Sequence, residues 1–230
     1  MSPENIVQKA VEKKLDMIAI TDHNCTKQAP LIQQLAAKKG LVVICGAEVN
    51  TAEEVHCLTL FKTQEQLLQF QLFIDQHLPP VPNSPEHFGE QIVVDQNEMI
   101  VEEVPYLLIN ALDVTLAEVQ QKTHQLGGLV IPAHIDRPYN GLFSQLGFIP
   151  ENFNPDAFEL SKNAEMDTWI KHSLLPNGVT LIGNSDAHHP NQIGESCTLY
   201  ELEKPTFDEL RMALLKRNGR RVIQIEKNKN

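Results

Sequence analysis

Ile182-Gly183-Asn184-Ser185-Asp186-Ala187-His188 is the stretch on which the fold of this chain turns. The apolar run Val179 to Ile182 predicts a strand that delivers an acid and a histidine spaced i and i+2. On extended backbone that spacing puts both side chains on one face, their Cα atoms roughly 6–7 Å apart. Ligands so placed can serve neighbouring cations, which sit about 3.5–4 Å apart in two-metal hydrolases. Three upstream junctions repeat the design: Ile18 to Thr21-Asp22-His23, Val42 to Gly46-Ala47-Glu48, and Val130 to Pro132-Ala133-His134. Each is a short apolar strand ending in a side chain able to hold a metal. His56 joins them near the start of an alternating strand, Val55 to Phe61.

Between these strands the sequence carries helical periodicity. Ser2 is expected to cap a helix with Pro3 in its first turn. Further helices are expected over Pro30–Lys39, Glu65–His77, Leu116–Leu126, Ala164–His172 and Thr206–Arg217. Strands alternating with helices predict an α/β domain with a parallel sheet. Ligands from five strand ends can converge only if that sheet closes or nearly closes, as in a β/α barrel whose chemistry sits on one rim. Residues 78–104, with a proline-rich entry and a hairpin over Gln91–Val94 and Met99–Val101, read as an inserted flap. A single domain over residues 1–226 and a disordered tail at 227–230 complete the expected organisation.

Composition narrows the function classes. The 230 residues carry a formal charge of −11, and Lys and Arg form no cluster before the tail. That argues against an extended nucleic-acid footprint and leaves a small anionic substrate, because bound cations reverse the field inside a cleft. No apolar run approaches the roughly 18 residues of a membrane span, and Met1-Ser2-Pro3-Glu4 is no secretory signal. The scattered Cys25, Cys45, Cys57 and Cys197 read as reduced thiols, so a cytoplasmic setting is expected. Oligomeric state is not encoded.

His23, Glu48, His56, His134, Asp186 and His188 mix imidazole with carboxylate, a set suited to Zn, Mn or Fe rather than Ca or Mg. His77, His87, His124 and His172 fall in helices and polar loops and read as surface residues, while His189 points away from His188. Gly183-Asn184-Ser185 lacks the glycine pattern of a nucleophile elbow.

Taken together, Thr21-Asp22-His23, Glu48, His56, Pro132-Ala133-His134 and Ser185-Asp186-Ala187-His188 resemble, in order, motifs of the PHP family, the polymerase and histidinol phosphatase domains. The resemblance implies a distorted (β/α)7 barrel with up to three Zn, Mn or Fe ions hydrolysing phosphate esters. It implies that Glu48, His56 and His134 hold one ion, that Glu48 and Asp186 hold a second, and that His23 and His188 hold a third. The family opens on a strand bearing His-x-His, which has no counterpart here. The expectation is therefore a barrel lacking its first strand, in a chain whose start lies upstream of Met1.

The function expected is a metal-dependent phosphoesterase acting on a small phosphate ester. A metal-bound hydroxide near Glu48 and Asp186 is its nucleophile, with Asp22 orienting His23 and Arg137 gripping the phosphate. Two alternatives stand beside it: a degenerate, non-catalytic PHP-type binding module, and an amidohydrolase-like metal hydrolase. The second usually wants a lysine at a strand end.

Overall fold

The computed structural model describes residues 1–228. In chain order the elements are α1 (Pro3–Glu12), β1 (Met17–Ile20), α2 (Ala29–Ala37), β2 (Val42–Asn50), β3 (His56–Phe61) and α3 (Gln64–His77). Next come α4 (Pro85–Phe88), β4 (Ile92–Val94), β5 (Ile100–Glu103), α5 (Leu116–Gln125), β6 (Leu129–Pro132), α6 (Leu142–Leu146) and β7 (Phe158–Leu160). The chain ends with α7 (Met166–Ile170), β8 (Leu181–Gly183), β9 (Ser196–Glu201), α8 (Phe207–Leu214) and β10 (Arg221–Lys227).

Local chemistry sets several boundaries. α3 and α5 each begin with a capping box, Thr63 with Gln66 and Thr115 with Glu118, which satisfies two N–H groups a helix start leaves unpaired. Thr206 caps α8 by accepting from the Glu209 N–H. Ser2 holds the capping position of α1 without using its side chain; its carbonyl accepts from the Ile6 N–H at 3.1 Å.

The principal sheet runs β1-β2-β3-β6. β1 and β2 are parallel, but β3 lies antiparallel to both β2 and β6. The expected all-parallel sheet is thus corrected at β3, and the reason is length. Only residues 51–55 join β2 to β3, a hairpin connection, whereas a parallel crossover needs a dozen or more residues. Gly46 in β2 is required by that pairing, since a Cβ there would stand 2.0 Å from the Thr59 carbonyl oxygen.

β7 and β8 form a parallel pair and β9 and β10 an antiparallel one. Bonds from Asp156 N to the Val130 carbonyl (2.8 Å) and from Ile135 N to the Glu159 carbonyl (2.9 Å) tie β7 to β6. The Thr198 hydroxyl bridges β9 to Gly183 of β8. The strands therefore follow one another in an arc, but among the described residues the sheets are small and do not close. The structure is an α/β fold of small sheets.

Side-chain alternation sorts the faces of the sheet. Val43, Cys45, Ala47 and Val49 of β2 pack with Val7, Ile32, Phe70 and Ile74 of the covering helices. On the other face, Ile44, Leu58, Leu60, Leu129, Ile131, Ala157 and Ile182 form an inner core closed by Phe207, Leu210 and Leu214 of α8. Glu48, His56 and Glu159 share the parity of this inner set.

The β4–β5 hairpin docks on the segment following His23. The Gln28 amide bonds both the N–H and the carbonyl of Val94, and Lys27 pairs with Glu102. Lys227, expected in a disordered tail, instead ends β10, and Asn228 N–H donates to the Glu195 carbonyl at 2.7 Å. Residues 229–230 of that expected tail lie outside the described residues. No helix among the described residues is long and apolar enough to cross a membrane.

Candidate metal centre

Three of the six sequence-derived candidates, His23, His56 and His134, converge on the carboxylate of a fourth, Glu48. Glu48, 6% exposed, accepts into a single oxygen, Oε1, from His56 Nδ1 at 3.0 Å and from His134 Nε2 at 3.2 Å. His23 Nε2 stands 3.9 Å from the other oxygen. The His56 ring centroid lies 5.0 Å from that of His23 and 5.2 Å from that of His134. One ligand atom each from His23, Glu48 and His56 lies within 4.8 Å of the others. Three strand ends supply this group, because β1 continues its parallel pairing with β2 as far as His23 and Glu48.

Asp186 and His188 form an adjoining group, joined to the first through His23, whose ring centroid is 6.3 Å from that of His188. They reach it by a route the extended-strand argument did not anticipate. β8 stops at Gly183, and Asp186 adopts a left-handed backbone with φ +46°. The i, i+2 rule of an extended strand therefore does not apply, and a turn brings the pair together instead. His188 Nδ1 lies 3.1 Å from the Asp186 carbonyl oxygen and 3.7 Å from the carboxylate.

His134 also needs a special backbone. Strand alternation would send residue 134 to the face of Val130, away from the inner core; its φ of +30° turns it back. Non-glycine residues in that region are uncommon and cluster at functional sites.

Burial pushes the Glu48 carboxyl up, but hydrogen bonds from His134 and His56 and the nearby His23 outweigh it and hold it well below the ordinary carboxylate value. Burial depresses His23, with Glu48 pulling the other way; the neutral imidazole it favours is the ligating form. At His134 burial acts downward, yet the hydrogen bond and charge of Glu48 win and raise it. Two buried ring nitrogens, His23 Nδ1 and His134 Nδ1, have no hydrogen-bond partner. Such atoms cost about 1–3 kcal/mol each, which coordination to a cation or a water removes. The donor set, the convergence and these unpartnered nitrogens all fit a divalent cation.

Other expectations fare differently. Asp22 does not orient His23: its carbonyl accepts from Glu48 N at 3.1 Å, and His23 Nδ1 stays unpartnered. Arg137 lies at the site, its Nη2 2.6 Å from Asp186 Oδ2. His77 and His124 pair with Asp113 and Asp156, and His172 stacks on Trp169. Sequence reasoning missed Glu159, which accepts from the His134 N–H (3.1 Å) and from the Asn184 amide (2.5 Å). Burial pushes its carboxyl up to about 7. An acid flanked by Ala157, Phe158 and Leu160 was the available signal, since such an acid must either be buried or break the strand.

Comparison with known proteins agrees with this geometry. Residues 1–144 match the family model described as PHP domain, and residues 176–218 match one described as PHP-associated. The chain is 24% identical over 195 residues to the uncharacterized protein YqxK of Bacillus subtilis, covering 80% of this chain and 44% of that protein. It is 24% identical over 223 residues to the PolC-type DNA polymerase III of Ureaplasma parvum, covering 88% of this chain and 15% of the polymerase. The chain thus spans less than half the length of these two relatives.

Among solved structures, a lesion-specific endonuclease, PfuEndoQ of Pyrococcus furiosus, superposes with a TM-score of 0.69 at 21% identity, over 96% of this chain and 53% of that one. Endonuclease Q in complex with a 27-mer duplex substrate, an abasic lesion at its active site, gives 0.68 at 23% identity over the same shares. A protein described as a metal-dependent phosphoesterase from Bifidobacterium adolescentis gives 0.56 at 15% identity, over 94% of this chain and 91% of that one. The expectation that set extended nucleic acid aside is overturned by these relatives. Its physical weakness was to weigh a net charge of −11, when cations held in a cleft govern the local field.

Proposed function

The chain belongs to the PHP domain family, and from that premise we propose that it is a metal-dependent phosphoric ester hydrolase whose substrate is a nucleic-acid phosphodiester. The observation that carries the reading is the Glu48 carboxylate, ringed by His56, His134 and His23 at 3.0, 3.2 and 3.9 Å. In this reading His23, Glu48, His56 and His134 hold a divalent cation, and Asp186 and His188 extend the site toward a second. When bound, such a cation lowers the pKa of water and offsets charge developing on phosphoryl oxygens.

The chain's own residues supply the rest. Glu48 sets the orientation of two imidazoles through one oxygen. Arg137 carries a planar fork of N–H donors beside Asp186, suited to a non-bridging phosphate oxygen. Residues 78–104, anchored on the segment after His23, act as a flap at the mouth of a single domain over residues 1–226. The named substrates of the DNA-acting relatives support a polynucleotide. A small phosphate ester is the second reading, favoured by the phosphoesterase whose length this chain nearly matches.

The test is to load purified protein with Mn, Zn or Fe and to assay a labelled oligonucleotide beside p-nitrophenyl phosphate. Cleavage of the oligonucleotide, abolished by chelation, is expected. Turnover of p-nitrophenyl phosphate alone favours the small ester, and hydrolysis of neither under any divalent ion refutes the enzyme.

A further inference from the structure

We propose that Glu159 is the positioning residue of this centre, the carboxylate that fixes the loops carrying His134 and Asp186 relative to one another. The inference rests on reading these residues as a cation site. β7 lies between β6 and β8, so an inner-face side chain on β7 is placed to reach the C-terminal loops of both neighbours. Glu159, 4% exposed, does so with separate oxygens. Oε2 accepts from the His134 main-chain N–H at 3.1 Å, and Oε1 accepts from Asn184 Nδ2 at 2.5 Å. Asn184 stands two residues before Asp186.

The two loops need such a clamp. His134 and Asp186 have φ values of +30° and +46°, backbone states that persist only where the surroundings over-determine them. The β6 loop is further tied to β7 by Ile135 N on the Glu159 carbonyl (2.9 Å) and by Asp136 Oδ1 accepting from Ser161 N (2.7 Å). The Glu159 side chain extends this tie across to the β8 loop. A buried acid whose bonds come from an amide and a main-chain N–H, rather than from Lys or Arg, is expensive, and the link between the two loops is what it provides. Partners behind metal ligands typically change affinity about 10–100-fold when removed.

Cobalt(II) is the probe, read by its dissociation constant and its visible absorption, with circular dichroism as the check on folding. Glu159→Ala is expected to bind cobalt roughly 10–100-fold more weakly and to shift the absorption band of the loaded fraction. Glu159→Gln is expected to restore both, since its oxygen accepts from His134 N–H and its amide donates to Asn184 once that carboxamide rotates. Asn184→Ala, which cuts only the β8 branch, shifts the band with a smaller loss.

Wild-type affinity and spectrum in folded Glu159→Ala overturn the proposal. So does weaker binding with an unchanged band, which marks a purely structural role. Should Glu159→Ala fail to fold, Asn184→Ala decides: a shifted band supports the clamp and an unshifted one overturns it. A wild-type chain that takes up no cobalt overturns the cation site itself, and the proposal falls with it.

Discussion

Replacing Glu48 by Gln isolates the charge at the hub of the site. The two side chains share a shape, and both imidazole bonds end on Oε1. A Gln whose amide oxygen takes that place keeps both contacts. What it loses is the charge assistance, and a hydrogen bond to a charged group is worth about 1 kcal/mol more than a neutral one. Two such bonds put the cost in the metal-free chain at roughly 2 kcal/mol, or about 4–8 °C in Tm for a domain of this size. Glu48 is held below its unfolded value of 4.5, so its contribution is complete above that value and is lost as pH falls through the folded pKa. The gap between wild type and Glu48→Gln therefore narrows below about pH 4.5. Divalent affinity is expected to fall by more than the roughly 10–100-fold that outer partners cost. Thermal melts in chelator at several pH values, with Mn titrations followed calorimetrically, give both quantities. A folded Glu48→Gln that binds Mn within threefold of wild type and keeps its turnover refutes the reasoning.

Three further outcomes are expected. Arg137→Ala, freed of its contact to Asp186, should raise KM for phosphodiesters roughly 10–100-fold, the worth of one charged hydrogen bond, with metal content intact; steady-state kinetics beside metal analysis checks this. Glu159 sits near 7 in the fold against 4.5 unfolded, a raised carboxyl whose stabilising neutral form is complete below 4.5 and lost as pH rises through 7. Between pH 5 and pH 8 in chelator, wild type should lose roughly 2 kcal/mol relative to Glu159→Gln by urea unfolding, and parallel pH profiles would sink the assignment. Burial pushes the Cys25 and Cys45 thiols up to about 11 and the Cys57 thiol higher still. All three should stay unmodified by a thiol reagent at pH 8 until urea unfolds the chain, and rapid labelling of Cys57 in the folded state would contradict its burial.

The sequence by itself determined most of the elements and supplied six candidate ligands for the site, but not Glu159. Capping residues at Thr63, Thr115 and Thr206, helical periodicity and apolar strands ending in His or acid are local signals, written within a few residues of where they act. The five-residue link from β2 to β3 was equally local; it already ruled out a parallel pairing there, and it outweighs any general rule about alternating elements.

The tertiary structure alone decided how those residues meet. Pairing direction and closure depend on which strands become neighbours, and apolar alternation is identical for parallel and antiparallel partners. The left-handed turns at His134 and Asp186 carry no glycine to announce them, being imposed by bonds from distant strands. Glu159 gained its place only when β7 was set between β6 and β8, since a carboxylate's partners 25 residues away in either direction are fixed by the fold and not by its neighbours in sequence.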